Sequence, residues 1–268
     1  MPSYLITGAS RGIGLSFLEN LTSNSDNIVI GLVRHVADTE TKVASWNREN
    51  VHFVQGDLSN YESLKSAAEA TAKITGGSLD YLIANAALVA GSFDPLSVLG
   101  KDPAKLETSL NQLFSVNVTG NIHLINLFMP LILKGNVKKV VTITSGMADV
   151  ELVRKYNVHE DGPYSISKVA VNMAVAKFSA EYAKDGVLFL SVCPGLVDTG
   201  VNAEPAEEDK PKFRAMVGKF MEYQPSFTGA AQPEDSVRDI LKVVESSSVA
   251  NGDGGAYLSH LGKGQKWI

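Results

Sequence analysis

The sequence predicts an α/β protein, a doubly wound parallel sheet in three α/β/α layers, built as one domain over residues 1–268. Three observations predict it. Short apolar segments alternate with helical ones along the whole chain. Those segments are apolar on both faces, as strands buried between two helical layers must be. Polar candidate residues then recur just beyond the carboxyl end of one strand after another, the edge at which such sheets bind ligands.

The elements follow in order. Residues 3–7 read as a first strand, and 12–22 as a helix that begins inside a glycine turn. Asn27 to Val33 is a second strand, with Ile28, Val29, Ile30 and Leu32 apolar, and Val51-His52-Phe53-Val54 is a third. A helix near 60–73 leads to a fourth strand, Leu79 to Ala84. Residues 103–133 hold one long helix or two in succession, and Val137 to Thr144 form a fifth strand. A long helix over 163–184, a sixth strand from Val187 to Cys193, a helix over 234–246 and a last strand from Gly255 to Ser259 complete the pattern. Right-handed crossovers leave the doubly wound arrangement as the main topology. Residues 200–230 differ: prolines and acids (Glu204, Pro205, Glu207, Glu208, Asp209, Pro211, Pro225) surround an apolar helical stretch, Phe213 to Met221, which reads as a substrate flap.

Composition narrows the class. Apolar residues make up 44% and charged residues 20%, as in ordinary globular enzymes. A net charge of -5 speaks against nucleic acid, whose phosphates need a basic surface. Cys193 is the single cysteine, so no internal disulfide forms, and its apolar neighbours suit a buried residue better than a reactive thiol. No charged leader and apolar run precede the first strand, and the longest apolar stretch, Leu124 to Leu133, is interrupted by Asn126 and Pro130. Such a stretch falls short of the roughly 20 residues that cross a bilayer. A cytoplasmic location without membrane contact is expected, and no metal site is expected.

Two motifs carry chemistry. The turn Thr7-Gly8-Ala9-Ser10-Arg11-Gly12-Ile13-Gly14 joins a strand to a helix. Gly8 permits the turn, Gly12 allows a pyrophosphate near the backbone, and Gly14 lets helix and strand pack closely, while the helix N-terminus offers N–H donors to an anion. Taken alone, the turn also reads as a purely structural loop. Tyr164 and Lys168 lie four residues apart in Tyr-Ser-Ile-Ser-Lys, on one helical face and about 6 Å apart. A phenol beside an ammonium loses its proton at lower cost than the usual value near 10 implies.

The glycine spacing together with Tyr-x-x-x-Lys closely resembles the short-chain dehydrogenase/reductase family, in its shorter branch, over almost the whole chain. The resemblance implies a Rossmann-type domain, a nicotinamide cofactor and carbonyl/alcohol chemistry. Phe114-Ser115-Val116-Asn117-Val118 matches the family's Phe-x-Val-Asn-Val, so Asn117 takes the place of the catalytic asparagine, expected to steady a water that links Lys168 to solvent. Val140-Val141-Thr142-Ile143-Thr144-Ser145 resembles the strand that ends in the catalytic serine, with Thr144 as the alternative to Ser145. Tyr164 is the proton donor and Lys168 its partner, expected to bring the phenol down and to hold the nicotinamide ribose. The loop between Ser145 and Tyr164 is several residues longer than the family's commonest spacing, so 146–161 is expected to shape the substrate pocket.

The same resemblance assigns cofactor contacts to Gly8, Ser10, Arg11, Gly12, Ile13 and Gly14, to Asp57 and Leu58 near the adenine, and to Asn85 and Ala86 near its ribose. Pro194-Gly195-Leu196-Val197-Asp198-Thr199 matches the family's Pro-Gly segment, with Pro194 and Gly195 among the cofactor contacts and the Val197 backbone and Thr199 hydroxyl expected to hold the carboxamide. Ala84-Asn85-Ala86-Ala87 departs from the family's Asn-Asn-Ala-Gly. Cofactor choice is a question of charge. Arg34 and His35 stand after the second strand with no acid before Asp38, and Arg11 lies in the turn. Two guanidiniums suit a 2′-phosphate, so NADP(H) is expected over NAD.

These features give an NADPH-dependent reductase of a ketone or aldehyde, resembling carbonyl-reductase-like and fungal-type ketoreductases. Two alternatives stand beside it: a cofactor-binding protein with vestigial redox activity (non-redox cyclase, sensor or scaffold), and an enzyme that oxidises an alcohol with NAD. The pocket is expected from 87–96, 146–161 and 200–228. There Phe93, Met147, Tyr156, Phe213, Met216 and Phe220 point either to an apolar, aromatic ligand or to packing under the flap. A homodimer or homotetramer is expected, paired through the long helices.

Overall fold

A computed structural model describes residues 1–89, 93–200 and 206–268. The parts of the expected pocket at 90–92 and 201–205, including Glu204 and Pro205, lie outside the described residues. All seven strands are present: β1 Ser3–Thr7, β2 Ile28–Val33, β3 Val51–Gln55, β4 Tyr81–Ala84, β5 Lys139–Ile143, β6 Leu188–Cys193 and β7 Ala256–Ser259. They form one parallel sheet in the order β3-β2-β1-β4-β5-β6-β7. This is the doubly wound, Rossmann-type arrangement. Strand order reverses between β1 and β4, which opens a crevice beyond their carboxyl ends.

The helices are α1 Gly12–Thr22, α2 Val36–Val43, α3 Tyr61–Thr75, α4 Leu96–Leu99, α5 Pro103–Leu113, α6 Asn121–Ile132, α7 Val150–Tyr156, α8 Gly162–Glu181, α9 Lys210–Tyr223 and α10 Pro233–Ser246. They cover both faces. Phe128, Leu124, Val175 and Phe178 close one face over Leu5, Leu82, Val140 and Phe189. Phe17, Leu18, Val237 and Ile240 close the other over Ile6, Val29, Val141 and Leu190.

Two differences from the sequence reading have physical causes. The stretch 103–133 is one continuous helical run whose middle, Phe114–Gly120, is π-helical, which is why the sequence offered neither a break nor a clean single period. Helices α2, α4 and α7 were not anticipated. Each is short, and α7 depends on the Asp149 side chain, which accepts from the Glu151 N–H at its N-terminus.

At the edge opposite the crevice, Asp80 is buried and gathers the chain. Its carboxylate accepts from the Ser3 N–H and hydroxyl (2.9 and 3.1 Å) and from the N–H groups of Asn136 and Val137 (2.7 and 3.2 Å). Removing this acceptor strands several buried donors at once, so Asp80→Ala should lower unfolding free energy by roughly 3 kcal/mol in urea titrations. Asp80→Asn, which keeps part of the acceptor set, should lose less.

Candidate active site

The glycine turn is built by close approach. A Cβ on Gly14 would lie 2.2 Å from the Gly8 carbonyl oxygen, and Gly8 and Gly12 have φ of +68° and +53°. The first turn of α1 is uncapped: Arg11, at the cap position, offers no side-chain acceptor. Among the described residues no acceptor meets the N–H groups of Gly12, Ile13 and Gly14. Uncapped donors at the positive end of a helix suit a phosphate, so the turn fits the pyrophosphate of a dinucleotide. Thr199 packs against it, within 3.0 Å of where a Gly12 Cβ would stand. Its segment is held by Ser236, whose hydroxyl donates to the Pro194 carbonyl (2.7 Å), and by the pairing of Val197 with Ala231. Across the crevice the Thr7 hydroxyl accepts from the N–H groups of Asn85 and Ala86 (3.0 and 2.9 Å), and the Asn85 amide donates to the Thr7 carbonyl (2.9 Å).

Arg11 and Arg34 are both exposed. Asp57, at the end of β3, is held below the usual carboxylate range first by the Ser59 N–H, with the Arg34 charge adding to the effect. Leu58 is buried behind it. The sequence reading missed Lys42. This residue reaches from α2 to donate to the Ser10 carbonyl (2.7 Å), which adds a third cation beside the turn.

Tyr164 and Lys168 share a face of α8, with the ammonium 5.7 Å from the phenol ring centre. The Ser145 side chain lies beside the Tyr164 hydroxyl and partly offsets the effect of burial on it. The hydroxyl of Thr144, the alternative, is instead buried without a partner. Lys168 is 4% exposed and donates to the Ile143 carbonyl at the end of β5 (2.9 Å). One expectation reverses here. Tyr164 is not brought down by its lysine; burial pushes the phenol above its ordinary value. The same burial pulls Lys168 down to about 8. Adjacency was legible in the sequence, whereas desolvation, the larger effect, was not.

Asn117 also differs in detail. It is fully buried in the π-helical segment and its side chain is committed within the protein. Its oxygen accepts from the Leu88 N–H (2.7 Å), and its amide donates to the Leu88 carbonyl and the Ser167 hydroxyl (3.0 Å each). Its backbone carbonyl accepts from the Asn121 amide (2.7 Å). In this arrangement Asn117 fastens the segment after β4 to α8.

The extended loop and α9 pack against one another. Met216 and Phe220 pack on Val158, with Phe93, Met147, Val153 and Tyr156 around them. Lys219 donates to both carboxylate oxygens of the buried Glu160 (2.8 and 3.0 Å). Cys193 is buried, and its thiol is pushed up to about 11 by that burial. An apolar cavity opens beside Ser145, lined by Met147, Leu152, Leu196, Phe220, Tyr223 and Trp267 among others. Nothing local in the sequence marked Tyr223 or Trp267.

The geometry is that of a nicotinamide-dependent oxidoreductase, and the comparisons with known proteins agree. Residues 3–210 match the family model of the short chain dehydrogenases, and the chain belongs to this family. The chain is 48% identical to the short chain dehydrogenase virK of Hypocrea virens, across the whole of both chains. It is 42% identical, again across both whole chains, to the short-chain dehydrogenase/reductase iacC of Pestalotiopsis fici. Among solved structures it superposes on the NADPH-bound carbonyl reductase from chicken fatty liver with a TM-score of 0.78, at 22% identity and over 100% and 99% of the two chains. The carbonyl reductase Sniffer of D. melanogaster follows at 0.76, with 18% identity and 98% of each chain. No helix among the described residues is long and apolar enough to cross a membrane.

The buried ammonium generates a stability prediction. The folded-state value of Lys168 lies below its ordinary 10.5. Below about pH 8 the fold therefore carries a desolvation cost, which is relieved as pH rises from 8 toward 10.5. Lys168→Met should stabilise the cofactor-free protein by roughly 1–3 kcal/mol at pH 7. In thermal melts that gain should shrink steadily between pH 8 and 10.5.

Proposed function

We propose that the protein is an NADPH-dependent reductase that converts a ketone or aldehyde to its alcohol, with Tyr164 as proton donor. The observation that carries this reading is the cluster at the end of β5: Tyr164 beside Ser145, its ring 5.7 Å from the buried Lys168 ammonium, which is anchored on the Ile143 carbonyl. A phenol pushed upward stays protonated near neutrality, the state that reduction requires and oxidation does not. Ser145 polarises the substrate carbonyl, its own oxygen being oriented by the Met147 N–H (3.2 Å). Lys168 supplies positive charge under the phenol as its proton leaves. Asn117 holds the surrounding segments in register.

The turn 8–14, Asp57, Leu58, Asn85, Ala86 and the 194–199 segment would hold the cofactor, which when bound supplies hydride to the carbonyl carbon. Arg11, Arg34 and Lys42 favour a 2′-phosphate by charge, and a structural neighbour is described as NADPH-bound. Residues 206–228 act as the flap of one catalytic domain. The chain works in the cytoplasm as a homodimer or homotetramer.

Steady-state kinetics should give a higher kcat/KM with NADPH than with NADH, and Arg34→Asp should narrow or reverse the preference. Tyr164→Phe should lower reduction of a carbonyl panel by about 10²–10⁴-fold. Unchanged turnover would sink the redox reading in favour of a vestigial one.

A further inference from the structure

Resting on that reading, we propose that Trp267 and Tyr223 form the specificity wall of the pocket and select an uncharged ketone bearing a flat ring system with an oxygen on its rim. Trp267 is seated from several directions. Its indole stacks on Tyr257 (4.2 Å between centres, 13° between planes). Its indole N–H donates to Asp149 (2.6 Å), and its backbone N–H donates to the Tyr223 hydroxyl (3.0 Å). Tyr257 in turn donates to the carbonyl of Ser145 (2.5 Å). A side chain on Gly146, the residue after Ser145, would stand 2.6 Å from the Trp267 Cβ. The catalytic loop is therefore shaped around this tryptophan, far away in sequence.

The chemistry of the wall follows. Asp149 takes the indole N–H and Tyr257 covers one ring face, so Trp267 offers the cavity an apolar surface. Met147, Leu152, Leu196 and Phe220 continue it, and no charged side chain lines the cavity among the described residues. A flat apolar ring gains most against such a surface. Tyr223 supplies a directional contact besides that of Ser145. It accepts from Trp267, and among the described residues nothing accepts its own proton. A rim hydroxyl or ether oxygen on the substrate completes that bond and is discriminated by it.

The test compares cyclohexanone, 1-tetralone and 6-hydroxy-1-tetralone with NADPH as reductant. Binding of each ketone is read separately by titration calorimetry. Wild type should prefer the tetralones. Trp267→Ala should cut the kcat/KM ratio of 1-tetralone to cyclohexanone about tenfold, chiefly through KM, and Trp267→Phe should cut it less. Tyr223→Phe should remove most of the preference for 6-hydroxy-1-tetralone over 1-tetralone. Should circular dichroism find Trp267→Ala unfolded, Trp267→Phe and Tyr223→Phe decide. Ratios and affinities that ignore both residues overturn the wall. Trp267-dependent binding without turnover leaves the wall standing and overturns the reductase.

Discussion

A buried ammonium organises the molecule's working edge. Lys168 lies deep beneath Tyr164 and its one fixed acceptor is the last carbonyl of β5. Holding a cation there costs stability, because water solvates it better than the protein does. The surroundings offset that cost only in part, as its lowered proton affinity records. The helix α8 that carries both residues must then meet β5 at one height, and the packing of Val171, Val175 and Phe178 on the sheet sets that height.

Much of this is legible in the sequence. All seven strands were legible because each is a short run such as Ile28–Val33, apolar on both faces and bounded by polar residues. Gly8, Arg34, Asp57, Asn85 and Ser145 were legible for the same reason, since each sits one or two positions beyond such a run, whereas Asn117, Tyr164 and Lys168, on helices, were legible from their motifs. Other features depend on contacts that spacing does not encode. Nothing near Trp267 announces that it will lie against Gly146, and nothing near Lys42 points to the Ser10 carbonyl. The direction of the Tyr164 shift was misjudged because proximity in sequence conveys the neighbouring charge and conceals the loss of solvent around it.

The two ends of the sheet are treated differently. At one, the buried Asp80 carboxylate binds the starts of β1 and β5 to β4, accepting from backbone N–H groups and the Ser3 hydroxyl. At the other, the segments after the strands meet through side chains: Thr7 with Asn85, Asn117 with Leu88 and Ser167, Trp267 with Asp149. The apolar shell of α7, α9 and the last residues, gathered on Val158, Met216 and Phe220, is set at this end.

The π-helical turn at Phe114–Gly120 has a consequence for how such a chain can change length. A wider turn accommodates about one residue more than an α-helix of the same rise. It therefore works as a local phase shift: α5 and α6 each present their own correct stripe although no single 3.6-residue period serves both. Losing one residue within the segment would let it relax to a regular spiral and swing everything C-terminal to it by about 100°. Leu124 and Phe128 would then turn away from the sheet. Single-residue deletions in this stretch are mechanically unlike those in surface loops, where slack absorbs them.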